Sequence, residues 1–394
     1  MEVLLARERR IVPGTRAATL PDRDDAAGHT SARWTPRLSH SCTRIATCRG
    51  VRSRPASFYV HHLRPRLQAS TWRPASSRLL WLPVHASVIA IATLAIARRW
   101  LPWPCLPVLS LCIGLAFAGL MFVGHEVLHG AVVRGRRARL LVGGLCFAPL
   151  VVSPHLWTAW HNRAHHANAN RLDVDPDMYP SLARYRNHGA ARFTIDHFAL
   201  GGRRWRGLFS LVLGFTVQSF EILVTARRCL QLPARAHRHA ILETLAASTL
   251  WIALGIAVGP FAFAFAFLLP LVVANAVVMS FILTNHSLCA ATDINDPLRA
   301  SLSVTTPRWV EWLTLDFGYH VEHHLFPAAS ARHGRAIRAA ILALWPERYQ
   351  SMPLGAALAQ VFMTGRVYRD ATTLVDPRTG GVWSTLERRG SASA

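Results

Sequence analysis

The chain has 394 residues, a mean hydropathy of +0.22 and a formal net charge of +23, and arginine supplies its positive charge because lysine is absent. Its apolar residues concentrate in stretches close to the roughly 20 residues that cross a bilayer, which excludes an ordinary soluble domain. The arginines are therefore best explained by the excess of positive charge on the cytoplasmic side of membrane proteins, and we expect no nucleic-acid partner.

Both ends of the chain are predicted to lie outside the membrane domain. Residues 1–75 are rich in Arg, Pro, Ser and Thr without a central apolar block, which favours a basic, disordered tail over a signal peptide. An arginine-rich start also resembles a transit peptide, or upstream sequence that does not belong to the native protein. Residues 373–394 are polar and predict a second loose tail, so the membrane domain is expected at 76–372.

Four transmembrane helices in two hairpins are predicted within this domain. The spans are expected at about 79–97, 105–123, 241–258 and 261–283. The link 98–104 and the Gly259-Pro260 junction leave room only for tight turns. The apolar stretch 207–226 is assigned to the membrane interface, because a fifth crossing would separate the histidine clusters described next. The predicted fold class is an all-α membrane protein with a cytosolic helical cap.

Three histidine clusters are the most informative motifs of the chain. They are His125-Glu126-Val127-Leu128-His129, His161-Asn162-Arg163-Ala164-His165-His166 and His320-Val321-Glu322-His323-His324. Neutral imidazole is the commonest protein ligand for zinc, copper and iron. The eight imidazoles are too many for one ion and suit a site for two, which we expect the cap to hold.

Helical spacing predicts how each cluster presents its rings. Residues four apart share a helical face, so His125 pairs with His129, and the same holds for His161 with His165 and for His320 with His324. His166 and His323 are turned about 100° from their neighbours, so adjacent histidines can serve different ions. His286, just past the last span, is a further candidate ligand.

The first cluster also matches a motif of zinc proteases. In His-Glu-x-x-His on a helix, the two histidines bind zinc and the glutamate, here Glu126, acts as a general base. An intramembrane zinc protease would leave the other two clusters without a role. The seven cysteines contain no Cys-x-x-Cys pair and predict no metal site of their own.

The three clusters together resemble the histidine boxes of the integral-membrane fatty acid desaturase and hydroxylase superfamily, from about residue 76 to 350. Asn170, the Asp175-Pro176-Asp177 turn and the segment from Glu322 to Pro327 fit the same pattern. The resemblance implies a fatty acyl desaturase; a lipid or carotenoid hydroxylase or ketolase of the same superfamily is the alternative. The use of arginine alone favours a bacterial, GC-rich genome and hence an inner-membrane protein, and the flanking arginines predict that its termini and histidine boxes lie on the cytoplasmic side.

The resemblance also implies a non-haem di-iron centre that uses O₂ and electrons from an external donor. Its ligands would be His125, His129, His161, His165, His166, His286, His320, His323 and His324. Glu126 stands where many relatives have Asp and is expected to hydrogen-bond a ligand imidazole. The implied partners are a lipid or acyl-thioester substrate and an acidic carrier, a ferredoxin or cytochrome b5-like protein, with its reductase. Trp157, Trp160 and Phe281 are candidates to line the substrate site.

Overall fold

The computed structural model describes residues 53–386, which are mostly helical. The predicted tail residues 1–52 and 387–394 lie outside the described residues. The α-helices in chain order are α1 (Ala56–Leu63), α2 (Trp81–Ala97), α3 (Leu106–His129), α4 (Arg136–Phe147), α5 (Pro154–Trp157), α6 (His166–Asn168), α7 (Leu182–Asn187), α8 (Gly189–His197), α9 (Leu208–Cys229), α10 (Ala234–Val258), α11 (Pro260–Phe263), α12 (Leu269–Ser287), α13 (Pro297–Ala300), α14 (Arg308–Leu313), α15 (His320–Leu325), α16 (Gly334–Leu344) and α17 (Leu354–Met363). Two π-helical segments, Thr158–His165 and Ala264–Leu268, continue α5 and α11.

Five helical segments within residues 53–386 are long and apolar enough to cross a membrane. They are Ser76–Ala97, Trp103–His129, Trp205–Cys229, Ala234–Val258 and Pro260–Ser287. Four of them contain the predicted spans, and Trp205–Cys229 contains the stretch assigned to the interface. Two further apolar segments, Arg136–Leu150 and Pro154–Asn168, are bent by 105° at their junction. These apolar helices agree with the expected integral membrane protein.

Helices α3 and α12 form the centre of the fold and both end at predicted ligands. They approach closely at Gly114, where a Cβ atom would lie 2.5 Å from the side chain of Val273 and 2.8 Å from a backbone oxygen of α12. Helix α3 ends directly after His129, because Gly130 takes a left-handed backbone conformation with φ of +83° that most side chains disfavour. The first histidine cluster is thereby fixed at the last turn of α3.

Helix α1 departs from the predicted disordered tail. Tyr59 and Leu63 are fully buried in an apolar cluster with Val321 and Leu325 of α15, the helix that carries the third histidine cluster. Residues 53–75 are therefore part of the folded protein, and the predicted boundary at residue 75 is wrong for them. The sequence prediction missed α1 because its apolar face is short and lies in a segment whose average composition is basic and polar.

The burial of Leu63 gives a stability test of this assignment. We expect Leu63→Ala to lower the free energy of unfolding by about 2–5 kcal/mol, because it removes a buried side chain and leaves a cavity. The neighbouring exposed substitution His61→Ala should change it by no more than about 0.5 kcal/mol. Thermal unfolding in detergent compares the two, and equal stability of the Leu63 variant and the wild type would show that α1 is not docked.

Two small sheets correct the all-α prediction. Strands β1 (Ser303–Thr305) and β2 (Ser351–Pro353) are parallel, with Val304 opposite Met352, and β3 (Val367–Asp370), β4 (Thr373–Val375) and β5 (Val382–Ser384) form an antiparallel sheet. Residues 373–386 are thus not the predicted loose tail, because β4 is buried between its neighbours. The sheet supports the end of α12, since the Tyr368 hydroxyl donates to the Cys289 carbonyl over 2.9 Å.

Candidate metal centre

The structure gathers the predicted ligands into two adjacent groups. Within each group, the potential ligand atoms all lie within 4.8 Å of one another. The first group, here called group A, is His125, His129, His161 and His323, and the second, group B, is His165, His286, His320 and His324. A further set of possible ligands, His161, His165 and Asp177, joins the two groups.

His166 lies beside group A. Its Nε2 atom lies 3.2 Å from Nε2 of His161 and 3.0 Å from Nε2 of His323. The Nε2 atoms of His161 and His125 are also 3.2 Å apart. Because these atoms come from the end of α3, the π-helical segment, α6 and α15, four elements converge here.

Group B converges in the same way beneath the end of α12. The Nε2 atom of His320 lies 2.7 Å from that of His286 and 3.0 Å from that of His324. The ring of His165 is centred 4.7 Å from the ring of His286 and 5.0 Å from that of His324. His286, the candidate outside the three clusters, therefore lies among their side chains.

The second cluster is divided differently from the sequence prediction. His161 and His165 were expected to share a face, but His161 lies in group A and His165 in group B. The cause is the π-helical segment Thr158–His165, in which residues five apart rather than four come into register. His161 therefore meets His166. The first and third clusters keep α-helical spacing, so His125 lies beside His129 and His320 beside His324.

The donor set fits metal ions. Imidazole nitrogens that bind one ion at about 2.0–2.1 Å lie about 3 Å apart, which is the spacing found in both groups. Nε2 of His129 is buried and has no hydrogen-bond partner, so this nitrogen is available to bind a metal ion. Burial and the neighbouring imidazoles lower the pKa of His320, His323 and His324 well below the ordinary value, which favours the neutral form that metals bind.

Outer groups orient the imidazoles of group B. Nδ1 of His165 lies 2.9 Å from a carboxylate oxygen of Asp175, and Nδ1 of His286 lies 2.8 Å from the carbonyl oxygen of Ala300. Such bonds fix the ring and direct Nε2 at the ion. Asp177 lies 3.4 Å from the same nitrogen of His165 and accepts hydrogen bonds from Trp160 and Gln218. The sequence singled out this turn only as part of a pattern, without a role for its carboxylates.

Asn170 joins the second cluster to the end of α12. Its side-chain amide donates to the carbonyl oxygens of His286 and Ala290 over 3.2 and 3.1 Å, and its backbone N–H donates to Asp175 over 2.8 Å. The backbone of Asn170 has a left-handed φ of 54°, a conformation that asparagine tolerates better than most residues. One side chain thus holds two ligand-bearing segments together.

Glu126 corrects the sequence prediction. Its carboxylate accepts hydrogen bonds from the Ser330 hydroxyl over 2.9 Å and from the Ala331 N–H over 2.8 Å, and Arg78 lies 3.7 Å away. It therefore ties the first cluster to the chain beyond the third rather than orienting an imidazole. These contacts also remove the free general base that a zinc protease would require.

Glu126 is accordingly expected to matter for stability. Glu126→Ala should lower the free energy of unfolding by about 2–4 kcal/mol, because it leaves the Ser330 hydroxyl and the Ala331 N–H without their acceptor and removes the carboxylate beside Arg78. Glu126→Gln keeps one acceptor oxygen and should lower the free energy of unfolding by clearly less than Glu126→Ala does. Thermal unfolding of the two variants in detergent measures the difference, and a wild-type stability for Glu126→Ala would contradict this role.

Glu322 forms a second buried network that the sequence did not reveal. Its carboxylate accepts hydrogen bonds from Ser303 over 2.6 Å and from the Tyr349 hydroxyl over 2.5 Å, with Arg338 at 3.3 Å. Burial raises the pKa of the Glu322 carboxyl, and these donors and the guanidinium act in the opposite direction. The network fixes the face of α15 opposite its histidines.

Aromatic rings pack beside group A. The ring centroid of Phe317 lies 5.0 Å from that of His125, 4.6 Å from that of Phe122 and 5.7 Å from that of Phe281. On another side, Trp157 stacks on His161 with centroids 4.4 Å apart. Of the predicted lining residues, Phe281 and Trp157 thus lie in the aromatic surroundings of group A. Trp160 instead supports Asp177.

Fold and site together define a membrane protein with two histidine groups suited to a dinuclear metal site. The family model described as fatty acid desaturase matches residues 98–355, well over half of the chain. The chain belongs to the fatty acid desaturase family, and its expected functional class, an oxidoreductase that desaturates fatty acyl chains, is confirmed.

Similar proteins from cyanobacteria carry more specific names. An sn-1 oleoyl-lipid 12-desaturase of Synechocystis is 26% identical, over 67% of this chain and 76% of its own. The protein of the same name from Picosynechococcus is 29% identical, over 69% of this chain and 78% of its own. An sn-1 acyl-lipid omega-3 desaturase (ferredoxin) of Synechocystis is 31% identical over a shorter region, 31% of this chain and 34% of its own.

Proposed function

We propose that this protein is a membrane-bound acyl-lipid desaturase that introduces a double bond at a di-iron centre. The observation that carries the proposal is the pair of adjacent histidine groups in a chain of the fatty acid desaturase family. The five ligands of one iron are His125, His129, His161, His166 and His323. The four ligands of the other are His165, His286, His320 and His324.

Iron is the metal that best suits the donor set and the reaction class. Zinc has no redox chemistry and is almost always four-coordinate in structural sites, whereas nine imidazoles divide here between two adjacent points. When bound, the two irons supply the redox chemistry that lets O₂ remove hydrogen from an unactivated methylene. The protein's own residues hold the ions, orient the imidazoles through Asp175 and the Ala300 carbonyl, and present an apolar wall to the substrate.

The substrate is proposed to be an acyl chain of a membrane glycerolipid. Phe317, Phe122 and Phe281 offer an apolar surface beside His125, where a methylene can lie without leaving buried polar groups unpaired. The names of the cyanobacterial relatives support an acyl chain carried by a lipid. The names of two omega-3 desaturase relatives include ferredoxin, which supports a separate acidic electron carrier with its reductase as the electron source.

The membrane arrangement is proposed as four crossings, with Trp205–Cys229 along the interface. The Gln218 amide in the middle of α9 lies 2.9 Å from Asp177, which borders the histidine site, so this helix is at the level of the cap. One side of α9 exposes Phe209, Val217, Phe220 and Val224, which suits contact with lipid. The ends of α3 and α12 then lie on the cytoplasmic side of the bacterial inner membrane, with both termini.

Lipid analysis of expressing cells tests the function. A bacterial host that makes only saturated and monounsaturated chains should gain acyl chains with one additional double bond when it expresses the protein with ample iron. His320→Ala, made at equal membrane abundance, should not produce them. New hydroxylated chains would favour the hydroxylase alternative, and an unchanged lipid profile with a loaded metal site would contradict the proposal.

A further inference from the structure

A cationic groove on α1 has no part in the site described above. The groove is lined by Ser57, Val60, His61, Arg64, Pro65 and Trp72 and has a volume of about 590 Å³. We call it the α1 groove. None of its lining residues is acidic, and the exposed arginines Arg66 and Arg73 follow Arg64 and Trp72 closely in sequence.

The chain segment that forms the α1 groove carries charge of almost one sign. Apart from Glu126, which is buried and engaged with Ser330 and Ala331, no Asp or Glu occurs between residues 53 and 172. The guanidinium of Arg64 lies 5.3 Å from the centroid of the Trp72 ring, and Arg134 donates a 3.3 Å hydrogen bond to the Trp72 carbonyl. A partly exposed tryptophan flanked by cations suits an acidic protein surface.

The groove is also close to the histidine groups. Helix α1 packs through Tyr59 and Leu63 directly on α15, and packed helices lie roughly 8–10 Å apart, axis to axis. The centroid of the Trp72 ring is 5.2 Å from that of Phe326, which follows His324 by two residues. The α1 groove therefore lies next to α15, the helix that carries His320, His323 and His324.

We propose that the α1 groove is where the acidic electron carrier docks. This inference rests on the proposed function, in which one –CH₂–CH₂– unit, one O₂, two electrons and two protons become –CH=CH– and two waters. The electrons come from the reduced carrier, which is oxidised, and the protons come from solvent. A one-electron carrier docks twice in each turnover, so charge-steered, readily reversible binding suits the task.

Charge reversal in the full-length protein tests the groove. The double variant Arg64→Glu, Arg73→Glu is compared with Arg206→Glu, Arg227→Glu, which reverses two exposed arginines elsewhere by the same total charge. Both are assayed in neutral phosphatidylcholine nanodiscs with a reduced acidic ferredoxin, and separately with dithionite and an uncharged mediator. Iron content and thermal unfolding are measured to establish that each variant is folded.

In the groove variant, the KM for ferredoxin should rise at least about tenfold, and the mediator-driven rate should stay at the wild-type value. In the control variant, both the KM for ferredoxin and the mediator-driven rate should stay close to the wild-type values. Added salt should slow the ferredoxin reaction of the wild type more than that of the groove variant. An unchanged KM in the groove variant would overturn the proposal. So would a defect seen only in nanodiscs with anionic lipid, which would assign the groove to lipid headgroups. Absence of product in the wild type with either reductant would instead overturn the proposed function.

Discussion

His320→Ala is expected to lower desaturation at least about 100-fold. Loss of a group that only orients a ligand lowers metal affinity or activity about 10–100-fold. The loss for His320 should be larger because its side chain is assigned as a ligand. Its Nε2 atom lies 2.7 Å from that of His286 and 3.0 Å from that of His324, and its removal leaves three imidazoles in group B. The measurement is the rate of product formation with a mediator as reductant, which removes the carrier from the comparison.

The matched control is His188→Ala, which removes an exposed imidazole remote in sequence from the three clusters. It should retain the wild-type rate, because an isolated surface substitution changes little. Appreciable activity in His320→Ala at normal protein abundance would show that this imidazole is not a ligand. It would then be a buried structural side chain.

Asp175→Asn is expected to lower metal affinity and activity about 10–100-fold. The carboxylate accepts from Nδ1 of His165 over 2.9 Å and from the backbone N–H groups of Asn170 and Asp177 over 2.8 and 2.9 Å. Asparagine keeps the shape but loses the charge that strengthens the bond to His165. Competition with a chelator measures the affinity, and the mediator-driven rate measures the activity.

The comparison for Asp175 is Asp293→Asn, which alters an exposed carboxylate and should leave both quantities unchanged. If Asp175→Asn bound the metal as tightly as the wild type but unfolded at a lower temperature, the carboxylate would be a structural group. Loss of metal affinity in a variant that still folds is the result expected of a group that orients a ligand.

The membrane helices and most of the site could be predicted from the sequence. Long apolar runs locate helices such as α3 and α12 because the bilayer fixes their length. The pairing of His125 with His129 and of His320 with His324 follows from α-helical spacing. The ligand role of all nine histidines stays a prediction until a metal is measured.

The remaining features depend on contacts between distant segments. The π-helical segment that sends His161 and His165 to different groups has no simple sequence signature. Strand β4 is three residues long and is recognisable only from its neighbours in the sheet. From its position between two histidines, Glu126 was expected to hydrogen-bond a ligand imidazole. Its observed partners, Ser330 and Ala331, are about 200 residues away in the sequence and could not be predicted from it.

Metal identity and stoichiometry test the central claim most directly. Protein purified in detergent after growth with ample iron should contain about two metal ions per chain, mainly iron. The combined variant His161→Ala, His320→Ala, which changes one ligand in each group, should lose most of both. One zinc per chain, retained in that variant but lost in His125→Ala, would contradict the di-iron account and restore the zinc-site interpretation of the first cluster.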